Sequence, residues 1–271
     1  MKTTITRRNG KRFHSNELTL SEFYNPPAPW IGNATEWGRS VRDHGEDQSW
    51  YGMDCATIAA LPEKGWQEGA TRAMELLDAP EIEQGATRLA RRWNEDDGEE
   101  LDAQRALDGL PCWRQAYRAP GGNAGRIVTL IAHAGGNAVL DADEIAWKAY
   151  AIVRYVDAME SAGFRVALDV QFCAKEAYGP TGWLCTVHVK AAEDAVDLSQ
   201  IAAALSAGAF RYYGFSWESA VESEHEPGRG KDYDLRPDEL GVMYLPAEVI
   251  SERTAREWLA RDDHKADEDA A

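Results

Sequence analysis

The chain has 271 residues, of which 44% are hydrophobic, and a formal net charge of −17 at pH 7. This length suits one large domain, or one domain with an N-terminal addition, and the apolar content allows a full core. The negative charge disfavours duplex nucleic acid as the main partner. The sequence shows no signal peptide, no apolar run that could cross a membrane and no CxxC pair among its four cysteines. We therefore expect a protein of a reducing cytoplasm that does not enter the membrane.

Residues 1–36 are predicted to form an extended N-terminal arm. Residues 1–13 are basic, with cations at positions 2, 7, 8, 11 and 12, and this composition is typical of a solvated terminus. Residues 25–30 hold three prolines, which fix φ and remove backbone donors. Neither a regular helix nor a central strand is expected there.

Residues 37–120 are predicted to form a mainly helical region. Two short helices, 56–61 and 67–77, are expected on either side of Pro62 and Gly65, and a third helix is expected over 81–93. Residues 94–102 then hold six acids in nine positions. They could bind a cation, although their spacing does not fit a calcium loop. The alternative is a solvated loop that leads into a short helix over 101–107.

Residues 121–260 are predicted to form an α/β domain built around a strand–helix–strand unit. The first strand is 127–132, and the helix begins at Asp141, with Glu144 at capping-box spacing. Gly163 ends the helix, and residues 166–173 alternate as a second strand. One face of the helix is apolar at helical spacing: Ile145, Ala149, Ile152, Val156 and Met159. Strands joined by such a helix should be parallel.

The rest of the chain completes the predicted fold. Residues 183–190 form a hairpin partner of the preceding strand, 198–210 a helix, 218–234 a polar loop and 241–245 a last strand before a final helix. Residues 261–271 are a charged, disordered tail. The predicted fold class is α/β, with a mostly parallel central sheet flanked by helices and an N-terminal, mainly helical addition.

Two resemblances follow from these patterns. An apolar strand, a five-residue turn of small and polar residues, a long helix ending in Ala-Gly and a strand starting Arg-Val resemble a von Willebrand factor A-like domain, over residues 126–259. The whole chain also resembles uncharacterised bacteriophage-encoded proteins, at residues 50–52, 64–69 and 209–215.

The first resemblance implies a metal-binding turn of the form Asp-x-Ser-x-Ser. The matching positions here are His133, Gly135 and Asn137. A hard cation prefers oxygen ligands, and only Asn137 supplies a side-chain oxygen. We therefore expect the fold without the metal.

The turn after the first strand is also the predicted binding site. Ligands of open α/β sheets bind beyond the carboxyl ends of the strands, where this chain has His133, Gly135, Gly136 and Asn137. The glycines match neither a dinucleotide nor a P-loop pattern, so no cofactor is expected. The alternative is a tight turn that requires positive φ.

Two functions remain open on the sequence. The first is a non-catalytic protein-binding or structural module, encoded by a phage as a virion component or host-directed factor, with a protein partner or self-assembly. It rests on the lack of a nucleophile elbow, a metal pair and a phosphate loop. The second is a hydrolase-type enzyme that uses His133, Asp169 and His188 in acid–base chemistry. Alternation in a half-exposed hairpin would also explain Asp169 and His188.

Overall fold

The computed structural model describes residues 4–8, 11–27, 48–82, 88–119, 125–136, 139–175, 181–220 and 242–261. Its strands are β1 (Thr4–Arg8), β2 (Lys11–Thr19), β3 (Arg88–Asn94), β4 (Glu100–Leu101), β5 (Trp113–Ala119), β6 (Ile127–His133), β7 (Arg165–Lys175), β8 (Thr181–Lys190) and β9 (Val242–Leu245). Its helices are α1 (Leu20–Phe23), α2 (Gln48–Tyr51), α3 (Cys55–Lys64), α4 (Gln67–Leu76), α5 (Ala103–Leu107), α6 (Ala142–Ser161), α7 (Leu198–Ala204), a π-helix (Ala209–Gly214), α8 (Phe215–Ala220) and α9 (Glu252–Leu259).

The main sheet has six strands in the order β1-β2-β8-β7-β6-β9. The pairs β2–β8, β6–β7 and β6–β9 are parallel, whereas β1–β2 and β7–β8 are antiparallel. Helices flank this sheet. The predicted α/β class with a mainly parallel sheet is therefore confirmed.

The central unit forms as its sequence predicts. Asp141 Oδ1 accepts a hydrogen bond from Glu144 N at 2.8 Å, and Glu144 Oε2 accepts one from Asp141 N at 2.9 Å, so a capping box starts α6. Gly163 has φ of 95° just beyond the helix. The predicted apolar face of α6, including Ile152, is fully buried.

The main core lies on one face of the sheet. Alternate residues of β7 enter it, namely Val166, Leu168, Val170 and Phe172. Every described helix except α5 contributes buried residues to the same cluster, so these helices lie on that face. A smaller cluster of Phe13, Cys173 and Leu184 lies on the opposite face. Burying one large apolar side chain stabilises the fold by about 1.5–3 kcal/mol.

The predicted solvated arm at residues 1–13 is wrong for the described part of that segment. β2 pairs in parallel with β8 from Arg12 opposite Thr181 to Thr19 opposite His188. Phe13 and Leu18 are buried on opposite faces of the sheet. The segment has no apolar run and no apolar alternation, because polar residues, including the buried Ser15 and Asn16, occupy most positions of β2. Of the proline-rich residues 25–30, residues 25–27 form neither a helix nor a strand, as predicted, and residues 28–30 lie outside the described part of the chain.

The described part of residues 37–120 contains both helices and strands. α3 runs through Pro62 to Lys64, and Gly65, with φ of 64°, separates it from α4. Both helices join the main core beside α6 and α7. The predicted split at Pro62 is therefore wrong, whereas the one at Gly65 is correct.

The predicted third helix over 81–93 is wrong where the structure describes it. Residues 88–94 form β3, which pairs antiparallel with β5 over seven residue pairs. β5 also pairs with β4, giving a three-stranded sheet in the order β3-β5-β4. Leu89 and Trp93, the last two residues of the apolar pattern that resembled a helix, lie in this edge strand, whose conformation depends on its distant partner. The short helix over 101–107 is confirmed as α5.

The predicted helix over 198–210 is two elements in the structure. α7 ends at Ala204, and the π-helix begins at Ala209. Arg211 in this π-helix is buried and donates to the carbonyl oxygens of Trp50 and Leu140. The last strand and final helix are confirmed as β9 and α9. Residues 221–241 and 262–271 lie outside the described part.

Candidate functional site

The turn after β6 lies at a favourable place in the sheet but is buried. β6 lies between β7 and β9, and both run parallel to it. His133 is 1% exposed, and Gly135 and Gly136 are also buried. Asn137 lies outside the described residues. In this conformation, a protein partner could not reach the three described residues of the predicted binding site.

Close packing against α6 explains the glycine at position 136. Neither Gly135 nor Gly136 has positive φ, so the expected left-handed turn is not what the structure shows at these positions. A Cβ at Gly136 would lie 3.2 Å from Ile145 Cδ1. A side chain at this position would therefore require the Ile145 side chain of α6 to shift.

A buried lysine already contacts the turn. Lys148 is fully buried on α6, and its Nζ donates a hydrogen bond to the carbonyl oxygen of Gly135. This bond engages an oxygen that a metal ion at the turn would need as a ligand. The contact therefore supports the prediction of no metal at the turn.

The structure brings Asp169 and His188 together. They are opposite each other in the β7–β8 register, and His188 Nδ1 lies 2.7 Å from Asp169 Oδ1. The His188 side chain is 52% exposed and that of Asp169 is 29% exposed. Strand alternation places the pair on the face opposite the main core. Such a carboxylate can orient an imidazole for proton transfer.

The third residue of the proposed catalytic set is not part of this pair. His133 is opposite Gln171 in the β6–β7 register, whereas Asp169 is opposite Ile131. His133 is also buried, so solvent reaches His188 but not His133. Of the three residues of the alternative catalytic set, the structure therefore pairs only Asp169 and His188.

No hydroxyl or thiol within the described residues hydrogen-bonds to His188. The nearest hydroxyl in register is that of Thr19, opposite His188 in the β2–β8 pair. Its Oγ1 donates to Glu22 Oε2 at 2.8 Å and accepts from Glu22 N at 3.2 Å, which caps α1. The pair could move a proton on a bound substrate, but it has no positioned nucleophile in this part of the chain.

The described residues offer no group of three or more histidines, cysteines or acids arranged to hold a metal ion. In the acidic stretch 94–102, Asp102 Oδ1 accepts from the backbone of Gln104 and Arg105, and Asp97 Oδ1 accepts from the Asn94 side chain. These carboxylates serve local structure, as the helix-start interpretation predicts. None of the described helices is both long and apolar enough to cross a membrane.

Sequence reasoning missed a surface formed by residues 88–119, which we call the β-arm. It consists of β3, β4, β5 and α5. Among the described elements, these four make no extensive contact with the main sheet or its helices. No residue from 93 to 115 is buried. Three exposed leucines lie on it: Leu101, Leu107 and Leu110.

A tryptophan between two arginines marks this surface. The guanidinium carbon of Arg105 lies 4.3 Å from the centroid of the Trp93 ring, and that of Arg114 lies 5.3 Å from it. Both distances fit cation–π contacts. The sequence does carry a signal for this surface, namely tryptophan, leucine and arginine residues with no neighbouring residues that could bury them. The incorrect prediction of a helix over 81–93 obscured that signal.

Backbone contacts hold the β-arm in one shape. Glu99 N donates to the Arg114 carbonyl at 2.8 Å, and Arg105 Nε donates to the Pro111 carbonyl at 2.9 Å. A Cβ at Gly98 would lie 2.7 Å from the Arg114 oxygen, so the tight approach requires glycine. The exposed side chains are therefore presented on a fixed frame.

Comparison with known proteins places the chain in a family but assigns it no activity. Searches of curated proteins and of solved structures gave no match. A family model, described as a domain of unknown function (DUF7192), matches residues 12–247, from β2 to just beyond β9, with the β-arm included. Because this match covers most of the 271 residues, the chain belongs to the DUF7192 family.

Proposed function

We propose that this protein is a non-catalytic protein-binding or structural module that makes contact through the β-arm. The observation that carries the proposal is the exposure of four large apolar side chains on the β-arm: Trp93, Leu101, Leu107 and Leu110. Protein interfaces are enriched in tryptophan and arginine, and their strongest contacts are apolar anchors. A frame fixed before binding lowers the entropy cost of association.

The proposal includes a von Willebrand A-like body over residues 126–259. Counted from β6 as the first strand, β8-β7-β6-β9 has the order 3-2-1-4, which occurs in doubly wound sheets. This order and the strand–turn–helix at β6 support the resemblance. The described helices that join the main core lie on one face of the sheet, whereas a doubly wound fold has helices on both. The proposal is therefore restricted to strand order and turn.

A phage origin belongs to the same proposal. It is supported by the resemblance at residues 50–52, 64–69 and 209–215. The protein would act in the host cytoplasm or in the virion. The neighbouring genes test it: a cassette of virion genes would indicate a structural part, and a cassette of early genes a host-directed factor.

Cross-linking in the source cells, followed by reconstitution from purified proteins, tests the β-arm as the contact surface. Leu107→Asp is the test variant, and Val139→Asp, outside the β-arm, is its control, because these side chains are 82% and 83% exposed. We expect Leu107→Asp to weaken binding of a purified partner by about tenfold or more and Val139→Asp to leave it unchanged. If every purified partner binds Leu107→Asp as tightly as wild type, the β-arm is not the contact surface.

An acid–base enzyme is the second candidate, favoured by the 2.7 Å contact between Asp169 and His188. Hydrolysis of generic ester and phosphate substrates by the wild type, Asp169→Asn and His188→Gln tests it. The binding-module proposal predicts no activity above background in any of the three. Activity that is lost in both folded variants would replace that proposal with an enzyme.

A further inference from the structure

We infer that the β-arm binds the β-arm of a second copy of this chain, in a twofold-symmetric pair. This inference rests on the proposed function and names the partner of that surface. It follows from three features of the β-arm: an exposed helix, a pair of oriented guanidinium groups and a mixture of charges that a second copy would complement.

The first feature is that α5 buries none of its own residues. It has five residues, and its apolar side chains, including that of Leu107, are exposed. A helix this short is unstable unless its apolar side chains pack against something. Asp102 at its N-terminus and the Gln104–Asp108 side-chain bond at 3.2 Å support it only locally. A partner that covers Leu107 would supply the missing packing.

The second feature is the orientation of Arg105 and Arg114. Arg105 is held by the Pro111 carbonyl through Nε, and its terminal nitrogens donate to no other described residue. Arg114 Nη1 lies 3.8 Å from a carboxylate oxygen of Glu100, too far for a hydrogen bond. Both guanidinium groups are stacked near Trp93 and can still donate to a carboxylate from another chain.

The third feature is the charge distribution. Five acids follow Trp93 within the next seven residues: Glu95, Asp96, Asp97, Glu99 and Glu100. A strongly basic partner would meet the two arginines, and a strongly acidic partner, such as a nucleic acid, would meet these acids. A twofold axis presents the acids of each copy to the arginines of the other, because such an interface uses the same patch twice. A second copy of the same mixed patch is therefore the partner that complements its charges best.

The arginines of β3 disfavour an alternative pairing of two copies through this edge strand. Two β3 strands running antiparallel would bring arginine-rich strands together, because β3 reads Arg-Leu-Ala-Arg-Arg-Trp-Asn. Like charges opposite each other destabilise a strand pair, and charged edge strands resist such pairing. The contact is accordingly assigned to the side chains around Trp93 and α5.

Sedimentation velocity of the full chain, from about 1 µM to about 100 µM, tests the inference. We expect a monomer–dimer equilibrium in the wild type. Leu107→Asp should raise the dimer dissociation constant by about tenfold or more, whereas the matched control Val139→Asp should leave it unchanged. Circular dichroism confirms that each variant is folded.

A charge-exchange mixture tests the pairing of the two patches. Variant A carries Arg105→Glu and Arg114→Glu, and variant B carries Glu95→Lys, Asp96→Lys and Glu99→Lys. Each alone should dimerise more weakly than the wild type, because it brings like charges together. Mixed, A and B should form a heterodimer tighter than either homodimer, since opposite charges again meet at both contacts.

Three results would overturn the inference. They are a sedimentation coefficient that stays at the monomer value at every concentration, a dimer that Leu107→Asp and Val139→Asp affect equally, and an A–B mixture no tighter than its parts. If the chain stays monomeric but a different purified protein loses affinity for Leu107→Asp, the proposed function stands and the homotypic partner is wrong.

Discussion

Two buried tyrosines in the same core differ in whether their hydroxyl groups have a hydrogen-bond partner. The Tyr213 hydroxyl donates to the carbonyl oxygen of Ile58 at 3.2 Å. The Tyr51 hydroxyl is also buried but finds no hydrogen-bond partner within the described residues. Burial raises the pKa of Tyr51 to about 12, although the nearby Arg211 opposes the shift. Burial likewise raises the pKa of Tyr213 to about 12.

Phenylalanine substitutions should separate the two tyrosines at neutral pH. Tyr213→Phe loses a hydrogen bond and should lower the free energy of unfolding by about 1 kcal/mol. Tyr51→Phe removes an unpaired buried hydroxyl and should leave the free energy unchanged or raise it by up to about 1 kcal/mol. Urea unfolding measures both. A Tyr51→Phe chain less stable than Tyr213→Phe would mean that the Tyr51 hydroxyl has a partner.

The same residues should govern stability at alkaline pH. A folded-state pKa raised from 10 to about 12 favours the neutral hydroxyl in the folded protein. The contribution of this pKa shift to stability is therefore complete below pH 10 and is lost as the pH rises through 12. Each phenylalanine variant should lose less stability across this window than the wild type. An identical alkaline loss in all three would contradict the shifts.

The buried lysine at the β6 turn carries a second prediction at the residue scale. Lys148 Nζ donates to the Gly135 carbonyl, and His133 and Gly135 supply no carboxylate or hydroxyl. Calorimetry with magnesium, manganese and calcium should therefore show no binding at millimolar concentrations. A stoichiometric site that disappears in Asn137→Ala would show that the turn keeps a metal.

At the scale of elements, α6 sets the stability of the main core. Ile152 is fully buried against the sheet. Arg154 lies off that face, where its Nε donates to the Leu77 carbonyl at 2.9 Å and its Nη1 lies 3.1 Å from Asp157 Oδ2. It therefore connects α6 to the end of α4.

Three aspartate substitutions should rank by burial. Ile152→Asp places an unpaired carboxylate in the core and should cost several kcal/mol, close to the whole stability of a typical domain. Arg154→Asp should cost about 1–2 kcal/mol, because it leaves the Leu77 carbonyl without its donor and sets Asp157 beside a second carboxylate. Leu107→Asp, on the exposed α5, should change little. Equal urea midpoints for Ile152→Asp and Arg154→Asp would mean that α6 packs differently.

Elements with local signals could be predicted, and elements defined by distant pairing could not. The capping residues, apolar face and final glycine of α6 lie within its own sequence, so its bounds could be derived. β2 is a strand because it pairs with β8, and β3 is a strand because it pairs with β5. No local sequence pattern predicts either pairing. Alternation indicated Asp169 and His188, but their contact also depends on the register of the β7–β8 hairpin, which shifts between Leu168 and Asp169. The surface around Trp93 depends on β5 and was therefore missed.

At the scale of the molecule, the strands at the two edges of the sheet come from parts of the sequence far from the strands at its centre. β1 and β2 form one side and β9 the other, whereas β6, β7 and β8 fill the middle. Residues 1–10 contain β1, and β2 begins at Lys11. A deletion that extends beyond residue 10 would therefore also remove part of a paired strand.

Two truncations should separate the basic terminus from the fold. Deleting residues 1–10 removes Lys2, Arg7 and Arg8 and should leave a folded chain. Deleting residues 1–19 removes the buried Phe13 and Leu18 and should unfold it. Thermal melts followed by circular dichroism distinguish them. A folded chain after the longer deletion would show that the sheet does not need β2.

The shorter truncation also tests the partner class. With a net charge of −17, neither the full chain nor the version lacking residues 1–10 should bind duplex DNA with sub-micromolar affinity at physiological salt. Any weak binding at low salt should decrease when the three cations are removed. Gel shifts measure this, and a tight complex with the truncated chain would indicate a basic face elsewhere.

The pairing of β2 with β8 has a consequence for synthesis on the ribosome. Arg12 is opposite Thr181, about 170 residues later in the chain. At 5–20 residues per second, β2 waits for its partner for on the order of ten seconds or more. During that interval β2, which carries the apolar Phe13 and Leu18, has β1 on one side only, and its other edge is open to any neighbouring chain. Nascent chains in polysomes should therefore be the species most prone to aggregation, and a chaperone that binds extended segments should protect them most before β8 emerges.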